Sequence, residues 1–282
     1  MNMSVRSDAR YAIACVTSLE VRITPEDRMA VQNSQRFMMQ ATSAETNVLN
    51  VASSLGKECL AMTKFVEGSP VAAFIKSQLR ARNIAYTGKE VPQGGPWGYR
   101  HQFNIADSGF GLRAPRVWND RAGEIGRTLT ADDFDLEKIF GQDGIGILHL
   151  SGLIAAMSPE TTECCLKVAE AAKAHGTLIS FDLNYRATFW KGREEELREA
   201  FHRIAQAADI LVGLLGKIES FGDDLHFFPM LARQICVKQF LKRLIYLLFF
   251  QLLFCLRFLV HCYFSMNGYK IIEKLQYLLL EI

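Results

Sequence analysis

The stretch TLISFDLNYRATFW, residues 177–190, opens as a buried strand and then turns abruptly polar. Leu178, Ile179 and Phe181 suit a core, yet Asp182, Asn184, Tyr185 and Arg186 follow almost at once. Ligands of open parallel sheets bind beyond the carboxyl ends of the strands. A strand that runs into a carboxylate, an amide, a phenol and a guanidinium therefore reads as one that ends at a crevice. The flanking sequence supports that reading. IGILHLSG (145–152) is a preceding strand with its own polar end, and SPETTECCLKVAEAAKAHG (158–176) is the helix between the two. Ser158 caps that helix, Pro159 and Glu160 fill its first turn, Leu166, Val168 and Ala169 supply an apolar face, and Gly176 ends it. A second helix, GREEELREAFHRIAQA (192–207), and a strand, DILVG (209–213), complete the run. Strand, helix, strand, helix, strand predicts right-handed crossovers and a parallel sheet covered by helices.

Toward the N-terminus, YAIACVTSLEVRI (11–23) reads as one or two strands broken near Thr17-Ser18. ETNVLNVASSLGKE (45–58) has helical spacing at Val48, Val51, Ala52 and Leu55, with Gly56 just past its end. LAMTKFV (60–66) is a short strand candidate. SPVAAFIKSQLRARNI (69–84) predicts a helix capped by Ser69, with Pro70 at its first position and Val71, Phe74, Ile75 and Leu79 facing inward. From 86 to 128 the pattern changes to short alternating pieces rich in Gly, Arg and aromatics, as expected of an exposed β-ribbon or lid.

With 49% hydrophobic and 22% charged residues among 282, the chain can bury a sizeable core. Its formal charge of +2 hides an asymmetry, for residues 235–282 hold six Lys/Arg against two Asp/Glu. The first 234 residues are slightly acidic and give no electrostatic footprint for nucleic acid. Seven scattered cysteines, without a Cys-x-x-Cys pair or zinc-ligand spacing, point to a reducing cytoplasm. The first 23 residues contain no apolar run long enough for a signal peptide before charge interrupts it. Asp182 reads as a loop-ordering acceptor, His149 as a satisfied core histidine, Cys164-Cys165 as buried filler, and GREEELRE (192–199) as a solvated helix face. His101 and Tyr99, on the lid, fit a structural or a ligand-contacting role equally well.

GILHLSGLIAAMSPET (146–161), FDLNYRATFW (181–190) and RVWNDRAGE (116–124) together resemble the ribokinase-type (PfkB) carbohydrate kinases, in particular 2-keto-3-deoxygluconate kinases. The resemblance covers about residues 11–213. It implies an α/β, ribokinase-like fold: a mainly parallel sheet flanked by helices, a small β-lid (elements about 11–36 and 86–128), and a C-terminal portion incomplete relative to the family. It also implies phosphorylation of a sugar or sugar acid with ATP and Mg, and lids that often pair into homodimers. Carried over by position, Asn184 and Arg186 match the pair facing the sugar acid, Arg186 being suited to a carboxylate through its bidentate fork. Arg121 of WNDR matches a lid arginine that reaches the substrate, and Asn119 stands where the family often has an aromatic. Asn47 matches the asparagine of a Gly-Gly-x-x-x-Asn helix start whose glycines are here Thr42 and Ser43, side chains expected to crowd the substrate. Tyr99 is a further lid contact.

After Gly213 the pattern ends. The family's Asn-x-x-Glu segment does not follow, and no Gly-x-Gly-Asp turn, which would supply an amide anion hole and the general base, occurs anywhere in the sequence. Residues 1–213 are expected to form the N-terminal part of a kinase domain and 214–282 a divergent apolar tail. Leu244–Leu256 is thirteen residues without charge, short of the ~20 that a spanning helix needs. Extending the segment to Phe264 takes in Gln251, Arg257 and His261. Three readings of the tail stay open: a frameshifted or rearranged end, a membrane anchor over 244–264, and a divergent helix. The chain reads as a sugar-acid kinase inactive as written, or alternatively as a non-catalytic sugar-acid-binding module or a membrane-attached protein.

Overall fold

A computed structural model describes residues 4–212. The tail expectations, including the apolar segment 244–264, lie outside the described residues. The N-terminal half contains β1 (Tyr11–Val16), β2 (Glu20–Pro25), β3 (Phe37–Thr42), α1 (Ala44–Ser54), β4 (Cys59–Met62), β5 (Phe65–Val66), α2 (Pro70–Ala81), β6 (Ile84–Thr87) and β7 (Glu90–Val91). It is followed by β8 (Phe103–Asp107), β9 (Arg116–Asp120), β10 (Ile145–Ser151), α3 (Gly152–Ala155), α4 (Pro159–Ala174), β11 (Leu178–Asp182), α5 (Ala187–Trp190), α6 (Glu194–Ala207) and β12 (Ile210–Val212).

Six strands form one sheet in the order β12-β11-β10-β1-β4-β6, and every neighbouring pair is parallel. Strands buried on both faces need continuous apolar runs. Accordingly Ala14, Cys15 and Val16 of β1, Leu148 and Leu150 of β10, and Ile179 and Phe181 of β11 are all buried. Phe181 meets Phe201 of α6 edge-on at 5.4 Å, and Trp190 meets the same ring at 4.9 Å. At the β10–α3 junction a Cβ on Gly152 would stand 2.1 Å from the Leu183 carbonyl oxygen, so only glycine lets the two strand ends approach there. The helix signals act as read. Ser69 Oγ accepts from the Ala72 N–H and Ser158 Oγ from that of Thr161, each cap contributing about 1 kcal/mol. Gly176 closes α4 with a φ of 74°.

A second, four-stranded sheet, β3-β2-β8-β9, is the lid. The expected lid limits need correction. Residues 11–16 belong to the large sheet, as does β6 (84–87), whereas β3 (37–42) pairs antiparallel with β2 inside the lid. The break at Thr17-Ser18 is where the chain passes from one sheet to the other, and apolar content alone could not reveal that. The inward face of α1 also differs from expectation. Val51 and Leu55 are 61% and 74% exposed, while Glu45, Thr46 and Leu49 are buried. The buried face runs through Glu45, Thr46 and Leu49 and not through Val51 and Leu55. No helix among the described residues is long and apolar enough to cross a membrane.

Candidate functional site

A cavity of about 530 Å³ lies where the strand ends, the start of α1, α5 and the lid meet. That volume is typical of small-molecule sites. Ser43, Glu45 and Asn47 come from the start of α1, Leu153 and Ile154 from α3, and Arg186, Thr188 and Phe189 from the segment after β11. The lid contributes Glu20, Arg22, Gln102, Asn104, Val117, Asn119 and Arg121. Strand alternation accounts for the lid set. Residues 20 and 22 share one face of β2, and the register pairs Arg22 with Asn104 and Asn104 with Asn119.

Of the residues expected at the site, Asn47, Arg121 and Arg186 line this cavity. Asn184 does not. It sits at a φ of 28°, its N–H donates to Asp182 Oδ1 at 3.1 Å, and its Nδ2 donates to Ser151 Oγ at 3.1 Å. Asp182 thus orders the loop, as its position suggested. Tyr99 is 41% exposed and lies off the cavity. His101 is buried, with Nδ1 3.2 Å from the Leu19 carbonyl oxygen, and burial pushes its imidazole pKa down to about 4. It serves the lid base. His149 is likewise buried, 3.2 Å from Ser180 Oγ, and desolvation lowers its pKa.

The three arginines around the cavity have different partners. Both Glu124 oxygens accept from Arg121 Nη1, at 2.9 and 2.8 Å, and Glu20 lies 3.7 Å from its Nη2. The Arg121 guanidinium also lies over the Phe189 ring, 5.4 Å from its centroid. Glu124 is buried and accepts a further hydrogen bond from Ser18 Oγ at 2.5 Å. Arg186, by contrast, is exposed, donates only to the Tyr185 carbonyl at 2.9 Å, and has no ion pair among the described residues. Its charge is available to a ligand.

Ser43 does more than crowd the helix start. Its Oγ caps α1 by accepting from the Thr46 N–H at 2.9 Å and lies 2.7 Å from the Thr17 hydroxyl. Its neighbour Glu45 is a site residue that sequence reasoning missed, because a charged residue in a first helical turn ordinarily signals solvent. Glu45 is fully buried at the cavity wall. Its Oε2 accepts from Thr17 Oγ1 at 2.9 Å, whereas its Oε1 has no hydrogen-bond partner among the described residues. Burial, the largest cause, raises its carboxyl above the usual range, opposed by its own backbone N–H and by the nearby Ser151, Thr17 and Ser43 hydroxyls, which favour the ionised form. Glu20 is raised by burial as well, with Arg121 and Arg22 acting against the shift.

A raised carboxyl stabilises the fold fully below its unfolded pKa, and that contribution is lost as pH rises through the folded value. Glu45→Gln removes the ionisable group while keeping an acceptor for Thr17. The variant is expected to melt above the wild type at pH 7.5 and level with it at pH 4. A pH series of thermal melts checks this, and equal midpoints at both pH values would refute it.

No protein-family model matches the chain. A curated relative, the 2-dehydro-3-deoxygalactonokinase of Haloferax volcanii, is 23% identical over 195 residues, which are 68% of this chain and 57% of that protein. The solved 2-dehydro-3-deoxygluconokinase of Thermotoga maritima superposes with a TM-score of 0.67 at 23% identity, covering 80% of this chain and 68% of its own. A PfkB family carbohydrate kinase of Listeria grayi superposes with a TM-score of 0.65 at 23% identity, over 78% and 67% of the two chains. The fold is that of the PfkB-family carbohydrate kinases. The likeness covers part of the chain, which spans little more than half the length of the curated kinase above. Within the PfkB fold the large sheet, the lid and the cavity between them are all present here. No group of three or more His, Cys, Asp or Glu among the described residues is arranged to hold a metal ion. No Gly-x-Gly-Asp turn occurs in the sequence.

Proposed function

We propose that residues 1–213 form the sugar-acid-binding part of a PfkB-family carbohydrate kinase similar to the 2-keto-3-deoxygluconate kinases, with 214–282 as a separate tail. The observation that carries this reading is the Arg186 guanidinium, without an ion pair among the described residues, on the wall of a cavity that amides, hydroxyls and buried carboxylates also line. A hydroxylated chain ending in a carboxylate suits that wall, since amides and hydroxyls satisfy its hydroxyl groups and an arginine fork its acid end. The buried carboxylates Glu20 and Glu45 would repel a ligand of high negative charge, so a monoacid is favoured. The family's reaction would bring ATP and Mg to a cytoplasmic enzyme, with lids paired into a homodimer. In this chain the reading extends to binding and not to phosphoryl transfer. Calorimetric titration of the full chain with 2-keto-3-deoxygluconate tests it. Saturable binding, at least tenfold tighter than that of a neutral sugar of the same length, is expected. No preference for the acid would overturn the reading.

A further inference from the structure

We propose that Arg22 is a second acid-binding arginine, working across the cavity from Arg186, and that Asn119 orients it through Asn104. The inference rests on the sugar-acid reading of the cavity and adds to it a residue that no motif marks.

Arg22 lies on the lid face that lines the cavity, one strand pleat from Glu20. Its Nε donates to Asn104 Oδ1 at 3.1 Å, and its two terminal nitrogens have no partner among the described residues. Arg121 differs, because Glu124 and Glu20 already surround its guanidinium. Arg22 also feels the charge of Glu20, but at longer range than an ion pair, so of the three arginines around the cavity only Arg22 and Arg186 keep terminal donors without an ion pair among the described residues. A carboxylate accepts at both oxygens, with about four lone-pair sites, and can serve two forks at once.

The amide pair behind Arg22 has a forced polarity. A guanidinium only donates, so Asn104 must turn its oxygen to Arg22 and its NH₂ away. Asn104 is nearly fully buried, and its NH₂ needs an acceptor. Asn119 Oδ1 supplies it at 2.7 Å. The asparagine standing where related kinases often carry an aromatic residue thus acquires a physical role. It fixes Asn104, and Asn104 fixes the plane of the Arg22 fork.

Two ligands separate charge recognition from general damage to the lid. One is 2-keto-3-deoxygluconate. The other is 3-deoxyfructose, the same chain with a hydroxymethyl group in place of the carboxylate. In Arg22→Gln the affinity for the acid is expected to fall about 10- to 100-fold, the worth of a charged hydrogen bond. Affinity for the neutral sugar should stay within about twofold, and a ligand-free melt as cooperative as that of the wild type checks that the lid stays folded. Asn119→Leu should reduce the preference for the acid by a smaller factor of about 3 to 10, reflecting disorder of the fork and not its removal. Unchanged acid affinity in Arg22→Gln overturns the inference, as does an equal loss for both ligands. An Arg186→Gln control distinguishes the two levels. If it loses acid preference while Arg22→Gln keeps it, the cavity reading stands and Arg22 is excluded. If the wild type itself shows no acid preference, the cavity reading fails first.

Discussion

Incubated with saturating ATP, magnesium and 2-keto-3-deoxygluconate, the 282-residue chain is expected to release ADP no faster than buffer. Phosphoryl transfer is mostly positioning and charge stabilisation, with little covalent chemistry for the protein to perform. The resemblance places the amide anion hole and the general base in a Gly-x-Gly-Asp turn, and the sequence contains none. One lost oxyanion donor typically costs a factor of about 10² to 10³. Loss of a general base typically removes about 10² to 10⁴ more. The factors need not multiply in full, yet even partly compounded they take a kinase from its usual ~1–100 s⁻¹ to near background. A coupled ADP-release assay measures this. Turnover near 1 s⁻¹ would show that residues beyond 212 build a phosphate site of another design.

Two arginines that look equivalent in the sequence should separate sharply on substitution. Arg121→Met leaves Glu124 buried with the Ser18 hydroxyl as its remaining partner, and stranding a buried charge costs about 3–5 kcal/mol. Arg121 is itself only partly exposed, so solvent screens little of that loss. For a unit of this size the melting midpoint should drop by roughly 6–15 °C. Arg186→Met, at an exposed side chain with one backbone partner, should leave the midpoint unchanged. Its effect should appear in binding, with affinity for the sugar acid falling by about 1.5–3 kcal/mol. Thermal melts and calorimetry on the same samples decide the matter. If Arg121→Met melts with the wild type and weakens binding as much as Arg186→Met, Arg121 is a ligand contact and not a strut of the lid.

Much of the fold was legible because its signals are local. The Ser69-Pro70 and Ser158-Pro159 starts, the Gly176 stop and the uniformly apolar strands each act within a few residues, so the helix–strand alternation and the parallel sheet could be read directly. α1 resisted the same treatment. Its Val48, Val51 and Leu55 spacing points to one buried stripe, yet the face that is buried carries Glu45, Thr46 and Leu49. The polar end of β11 likewise announced a crevice and Arg186 on its wall. It could not show that Asn184, two residues earlier, turns away to hold Ser151.

By itself the sequence determined the α/β class, the place of the crevice at the strand ends, and a family pattern that stops after Gly213. These follow from periodicity, capping and short-range order along the chain. Only the tertiary structure decided which charges remain available. Glu124 neutralises Arg121 from three residues away, whereas Arg22 meets Asn104 across 82 positions, and Glu45 loses its solvent to strands far from it in the chain. The charge state and reach of an ionisable group depend on what surrounds it in space, and residues distant in sequence supply those surroundings.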